Sequence, residues 1–324
     1  MKLIDARNVQ QAFPQGMALL RETGKARGSR VGSVLEVPEA VCTTYRRPTE
    51  RVLIYPERRA NPFFHLMESL WMLAGRNDVH WLAQFNKKMA DYSDDGATFH
   101  AAYGHRLRSA FGIDQLWDAI RILKNNRDDR RVVLQIWSAD RDFDRDMKDI
   151  PCNDLVMLKV RNGELHMTIA NRSNDAIWGC YGANAVHFSF FQEYLASMIG
   201  VGCGPYNQVS DSLHVYTDNP QWEKCEPLAD LLSGYRCRHH LLAADHYEME
   251  TVRPYPLVTD PRVFDDELAC FMSGAMLDSW HNEFFAHTVI PMWNAWFDRE
   301  HAQEHLNEMP ADSDWRLACE EWLT

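Results

Sequence analysis

No paired-cysteine signature runs through this chain. Its eight cysteines (42, 152, 180, 203, 225, 237, 270 and 319) are scattered, without a C-x-x-C and without zinc-type spacing. That excludes a zinc ribbon and argues against a disulfide framework, so no metal is expected. No apolar run approaches the roughly 18 residues that a membrane span needs, and nothing at the start has the layout of a secretory leader. A reduced, cytoplasmic protein that does not engage a membrane is the expectation. Basic residues are also in deficit: the formal net charge is −12, which argues against a broad nucleic-acid surface. An anionic substrate would need a local arginine cluster working against that field. Internal repeats and low-complexity segments are absent too.

What is present is a chain of 324 residues, 46% hydrophobic and 25% charged, able to bury a sizeable core. Val9, Phe13, Met17 and Leu20 fall near helical spacing, predicting an entry helix over 5–24. Gly24–Ser33 reads as a glycine-rich basic turn before the strand-like 34–37, and Val52–Tyr55 as a second short strand. Asn61-Pro62 opens a helix that stops at Gly75. An amphipathic helix is predicted at Leu116–Asn125 and a strand at Val132–Trp137, with a loop from Asp140 to Asp149. Arg161-Asn162-Gly163 joins two strands into a hairpin, since Asn-Gly favours a two-residue turn. Ala185–Ile199 is apolar all round and predicts a buried central helix. Val209–Tyr216 is a further strand, and beyond about residue 250 come proline-rich turns and then helices.

Between Pro151 and Tyr216 lie residues suited to chemistry on a nucleotide. Cys152 alone is most simply a small buried hydrophobe, but an adjacent guanidinium would favour its nucleophilic thiolate. Arg172-Ser173 offers a bidentate fork and a hydroxyl for a phosphate, or else a strand-end ion pair. Arg130-Arg131 is a second basic pair, or a solvated turn. Asp175 can cap a turn and Asn184 a helix; an Asn amide can equally present donor and acceptor together to a pyrimidine edge. His214 and Tyr216, two apart on a strand, share a face and could hold sugar hydroxyls, or simply pair in the core. Glu68, inside the apolar LMESLWML, is costly unless paired or used. His301 and His305 do not form HExxH and read as surface residues.

Taken in order, Glu68 in ESLWMLAG, Tyr103-Gly104, Arg130-Arg131 in DDRRVVLQIW, Pro151-Cys152, Arg172-Ser173-x-Asp175, Gly179, Asn184 and His214-x-Tyr216 make the chain resemble the thymidylate synthase superfamily over about residues 5–220. The resemblance implies an α+β fold with a mixed β-sheet and packed helices, the sheet's back face forming a homodimer. It implies one catalytic domain over 1–324, with 251–324 a helical extension packed on it. Cys152 would add to C6 of a pyrimidine nucleoside monophosphate, and C5 would attack 5,10-methylenetetrahydrofolate, the one-carbon donor. Arg172, Ser173 and Arg30 would hold the phosphate, with Arg130 and Arg131 reaching across from the second subunit. Glu68 would organise proton transfer, Asp175 contact the folate, Asn184 read the base, and His214 with Tyr216 bind the sugar.

Departures from the family pattern refine this. Asn153 stands where thymidylate synthases have histidine, the segment from Asp175 to Asn184 is one residue longer, and the folate-walling tryptophans are replaced around Met89–Tyr92. A helical extension takes the place of the short apolar closing tail. Access of water to the methylene intermediate gives a 5-hydroxymethyl product in place of a methyl one. The chain is most similar to CMP hydroxymethylases of nucleoside-antibiotic pathways such as mildiomycin biosynthesis. CMP, or dCMP, is therefore the expected substrate, and small Ala176 the expected source of room for a 2′-hydroxyl. A thymidylate synthase or dUMP hydroxymethylase is the alternative, and an inactive nucleotide-binding dimer a further one.

Overall fold

The computed structural model describes residues 1–143, 146–233 and 245–324; Cys237 and part of the Asp140–Asp149 loop lie outside them. Two sheets carry the site. The larger has six strands, in the order β1 (Lys2–Ala6), β4 (Val41–Tyr45), β9 (Gly202–Ser210), β7 (Glu164–Asn171), β6 (Asn153–Arg161) and β5 (Val133–Gln135). β1 runs parallel to β4 and β7 to β9, while the other pairs are antiparallel. The smaller sheet is β2 (Lys25–Ser29), β3 (Gly32–Glu36), β10 (Leu213–Tyr216) and β8 (Asn174–Asp175).

Alternation explains the large sheet. Leu165, Met167 and Ile169 of β7, with Val156, Leu158 and Val160 of β6, are buried on one face, each contributing roughly 1.5–3 kcal/mol of transfer free energy. The turn between these strands holds Asn162 at φ 53° and Gly163 at φ 79°, the left-handed pair that a two-residue hairpin needs. Across the buried face lies the central helix. Four helices are enough to place the site: α1 (Val9–Thr23), α2 (Pro62–Leu73), α3 (Gln115–Asn125) and α4 (Asn184–Ile199). All of α4 is buried except Ser197, and Gly200 at φ 81° ends it. The Asn61 side chain accepts from the Phe64 N–H to start α2, with Pro62 in the first turn. No helix among the described residues is long and apolar enough to cross a membrane.

Beyond residue 250 come α5 (Phe264–Met272), α6 (Ile290–Phe297), α7 (Ala302–Asn307) and α8 (Asp314–Leu323). Aromatic rings tie them to α4: Trp315 and Phe284 meet Phe190 edge-on, and Phe264 packs on Tyr194 at 5.7 Å. Beneath is a polar lock. Arg51 pairs with Glu193, Glu193 accepts from the Leu257 N–H at 2.9 Å, and Tyr247 donates to Asp314 at 2.8 Å. Burial pushes Asp314 up to about 7.

Several expectations need correction. Gly24–Ser33 is no simple turn: β2 and β3 pair across Arg30-Val31. Val52–Tyr55 is buried but not a strand, because the Val52 and Ile54 N–H groups donate to the Tyr247 hydroxyl and Gln10 side chain in place of a neighbouring strand. Val209–Tyr216 breaks at Asp211-Ser212, where the chain leaves β9 and enters β10 in the other sheet. The strand at 132–137 is only Val133–Gln135, and β1 precedes the entry helix.

Candidate functional site

The small sheet gathers one wall. Arg30, in the β2–β3 turn, donates through Nη1 to the Met147 carbonyl (2.9 Å) and through Nη2 to that of Lys148 (3.2 Å). On β10, His214 and Tyr216 share a face, with rings edge-to-face at 5.5 Å. Burial raises the Tyr216 hydroxyl, and the nearby charges of Asp175 and Cys152 add to the effect. Tyr216 thus lies within electrostatic reach of Asp175, Cys152 and Arg30 and near the Ser29 hydroxyl.

Cys152 lies immediately before β6. Arg172 donates to the carbonyls of Pro151 (2.8 Å) and Ile150 (3.1 Å), and its Nη2 lies 3.9 Å from the Cys152 sulfur. The expected guanidinium is there, but its pull does not prevail. Burial pushes the thiol above its ordinary value, Asp149 and Asp154 add to this, and Arg172 and Ser173 oppose it. Asp175 fulfils its capping reading, since Oδ1 accepts from the N–H groups of Ile177 (2.8 Å) and Trp178 (2.6 Å). Its other oxygen is buried without a hydrogen-bond partner, and burial raises its pKa.

Deeper lies a chain of amides. Asn184 does not cap α4; the backbone is already helical at Ala183. Its Nδ2 donates to Asn174 Oδ1 (3.0 Å), and its Oδ1 accepts from Asn153 Nδ2 (3.2 Å). Asn174 donates onward to Gln208 and Ser210, both at 3.0 Å. Gln208 in turn donates to the Cys180 carbonyl (2.9 Å) and Tyr45 hydroxyl (3.2 Å). One acceptor site of the Asn184 amide remains for a ligand, and its second N–H is held only by a long contact to Asn153 Oδ1 at 3.5 Å, which a ligand acceptor can replace.

Asn184 borders a cavity of about 240 Å³ with an apolar wall that includes Trp71, Leu82, Met89 and Tyr92, and polar groups from Glu68, Asp149 and His187. Tyr103 also lines it and lies against the Cys152 backbone. Glu68 Oε2 approaches His187 Nε2 at 3.0 Å. Beside Asp175, burial pushes Arg58 down to about 10; its Nε donates to the Ile177 carbonyl (2.8 Å), and its guanidinium lies 4.3 Å from the centre of the Trp178 ring.

Not every expected residue converges. Arg130 and Arg131 are exposed at the start of β5, and Arg131 pairs with Asp129 at 2.6 Å. Ala176 is wholly buried and packed in the core. The sequence reading also missed functional candidates: Asn174, Gln208, Arg58 and His187. His187 had a signal, since it follows Asn184 by three on one helix and so shares its face.

The thymidylate synthase family model matches residues 18–230. A deoxyuridylate hydroxymethyltransferase of Pseudomonas phage M6 is 47% identical over 336 aligned residues, covering 100% of this chain and 94% of its own. One of Bacillus phage SP01 is 42% identical over 60% of this chain and 52% of its own. A third, of Delftia phage PhiW-14, is 30% identical over 52% and 50%.

Proposed function

The chain belongs to the thymidylate synthase family, and from that premise we propose that it places a hydroxymethyl group on C5 of a pyrimidine nucleoside monophosphate. The observation that carries the reading is the short path from nucleophile to base reader. Cys152 sits 3.9 Å from Arg172, and the next residue, Asn153, hydrogen-bonds the Asn184 amide at the cavity. Whole-chain likeness to a deoxyuridylate hydroxymethyltransferase supports water as the final nucleophile.

In this reading Cys152 adds to C6, which makes C5 a carbon nucleophile. Arg30, Arg172 and Ser173 take the phosphate. Arg30 and Arg172 now donate to backbone carbonyls, which a phosphate, as a stronger acceptor, would displace. Arg130 and Arg131 complete the clamp from a second subunit. Exposed Leu3, Val133 and Met157 on the large sheet support a dimer through that face. Asn184 reads the base, His214 and Tyr216 the sugar, and Glu68 handles the proton. Methylenetetrahydrofolate supplies a one-carbon unit at the formaldehyde level. The residues present suit it: an apolar cavity wall for flat rings, and the unpartnered Asp175 oxygen for a ring N–H. Residues 1–324 act as one cytoplasmic catalytic unit.

For the base, the phage relatives' name moves dUMP ahead of CMP. A uracil would donate N3–H to Asn184 Oδ1 and accept at O4 from Nδ2. The second reading, CMP or dCMP, is favoured by Asn153, whose amide faces that of Asn184 in both senses, at 3.2 and 3.5 Å. Presenting the reversed edge would also require Asn174 to turn, because Asn184 Nδ2 donates to Asn174 Oδ1 and Asn174 Nδ2 donates to Gln208 and Ser210. Mass spectrometry of products from dUMP, dCMP and CMP, each with methylenetetrahydrofolate, tests this. A hydroxymethyl product with tetrahydrofolate is expected, chiefly from dUMP. A methyl product with dihydrofolate would overturn hydroxymethylation, and preferential CMP turnover would select the second base.

A further inference from the structure

His187 has no part in the scheme above, yet it lines the cavity with Glu68 and Asn184. Its side chain is only 4% exposed and Glu68's 13%, with Oε2 and Nε2 3.0 Å apart. Both atoms are buried, and neither has a hydrogen-bond partner of proper geometry. Buried polar atoms in native proteins nearly always have partners, so two such atoms on one cavity wall mark a place for a small polar ligand. The cavity, about 240 Å³, has ample room for a water of roughly 30 Å³. Trp71, Leu82 and Phe99 form an apolar wall beyond that offers a water no such partner. His187 is itself held by the fold: α4 is buried along its length, and His65 meets its ring edge-on at 6.3 Å.

We propose that His187 is a catalytic residue that, with Glu68, holds the water attacking the one-carbon unit. The inference rests on the hydroxymethylase reading and names the chain's own device for it. Once C5 has lost its proton and tetrahydrofolate has left, the pyrimidine carries an exocyclic methylene, with Cys152 still on C6. The water oxygen forms a bond to that methylene carbon and its proton passes to the Glu68 carboxylate. The displaced electron pair moves to O4 as an enolate. Collapse of the enolate forms C5=C6, breaks the C6–S bond and returns the Cys152 thiolate. No oxidant or reductant takes part. His187 Nε2 fixes the water against the methylene, a positioning role of the kind that makes general-base attack efficient.

The test separates formation of the methylene from its hydration. Nucleotide tritiated at C5 releases label when the methylene forms, and hydroxymethyl product appears only after water adds. In the early phase of a single turnover with enzyme in excess, the ratio of product to released tritium is expected to be roughly tenfold or more lower for H187L than for wild type, with H187Q, which keeps a polar group there, intermediate. An added small thiol should intercept the waiting methylene in H187L as a C5 thioether. An unchanged ratio in H187L, or a fall in product and tritium release in strict proportion with no thioether, would overturn the proposal and leave His187 a structural residue. If H187L fails to fold, H187Q and H187N carry the same ratio test. The wild-type arm guards the premise: methyl product with dihydrofolate would defeat the hydroxymethylase reading itself, whatever the variants do.

Discussion

The mouth of the site and its floor are built from opposite materials. At the mouth, Arg30 and Arg172 are exposed and donate to loop carbonyls. At the floor, Asn153, Asn174 and Gln208 are almost wholly buried and bond one another, Asn184 and the core. Exposed arginine–carbonyl bonds exchange readily for a phosphate, because a charged acceptor makes the stronger bond. A buried amide chain is costly to disturb, since each broken link leaves an unsatisfied group in a low-dielectric interior. The proposed function therefore assigns affinity to an adaptable mouth, and base choice to a preset floor.

The largest effect should come where the two regions meet. Cys152→Ala should lose turnover roughly 10⁴-fold or more, measured as hydroxymethyl product, with C5 tritium release lost alongside. Substantial release from C152A would remove the nucleophile from the account. Next is the floor: Asn174→Leu removes the acceptor for Asn184 and the donor to Gln208. It should cost about 1–3 kcal/mol of stability, read from denaturant midpoints, and should blur discrimination between dUMP and dCMP. A stable variant with undiminished preference would break the comparison.

At the mouth, Arg172→Ala should raise KM for the nucleotide about ten- to hundredfold, as loss of one charge-assisted bond implies, with a smaller change in kcat. A kcat effect alone would move Arg172 from binding to chemistry. The smallest effect concerns the thiol. Because burial raises Cys152 above the usual thiol value while Arg172 opposes the shift, wild-type alkylation in the free enzyme should keep accelerating through pH 9. Removing Arg172 raises the thiol further, so R172A should be alkylated several-fold more slowly at pH 8. Faster alkylation would mean that the guanidinium shields the sulfur more than it activates it.

Sequence made the floor's scaffold legible and left its wiring hidden. The β6–β7 hairpin and α4 were readable because Asn-Gly, strict alternation and an all-apolar helix are local signals. The β2–β3 hairpin was not: its KARGS strand is exposed throughout, so no apolar pattern marks it. The Asp211-Ser212 break was hidden for a related reason, since β9 and β10 carry similar patterns and differ only in the partner they choose. In the site, Cys152, Arg172, Asp175, Asn184, His214 and Tyr216 stood out by residue type and order. Asn174 and Gln208 did not, because their meaning lies in partners drawn from β8, β9 and α4. The thiol's raised pKa was also beyond reach, since burial and two aspartates outweigh an arginine that sequence could suggest.

In the proposed reaction water, not hydride, completes the turnover. A single turnover in H₂¹⁸O with methylenetetrahydrofolate, using the preferred nucleotide, tests it most directly. The account requires a hydroxymethyl product carrying one heavy oxygen, with tetrahydrofolate released. A methyl product free of the label, with dihydrofolate formed, would contradict it.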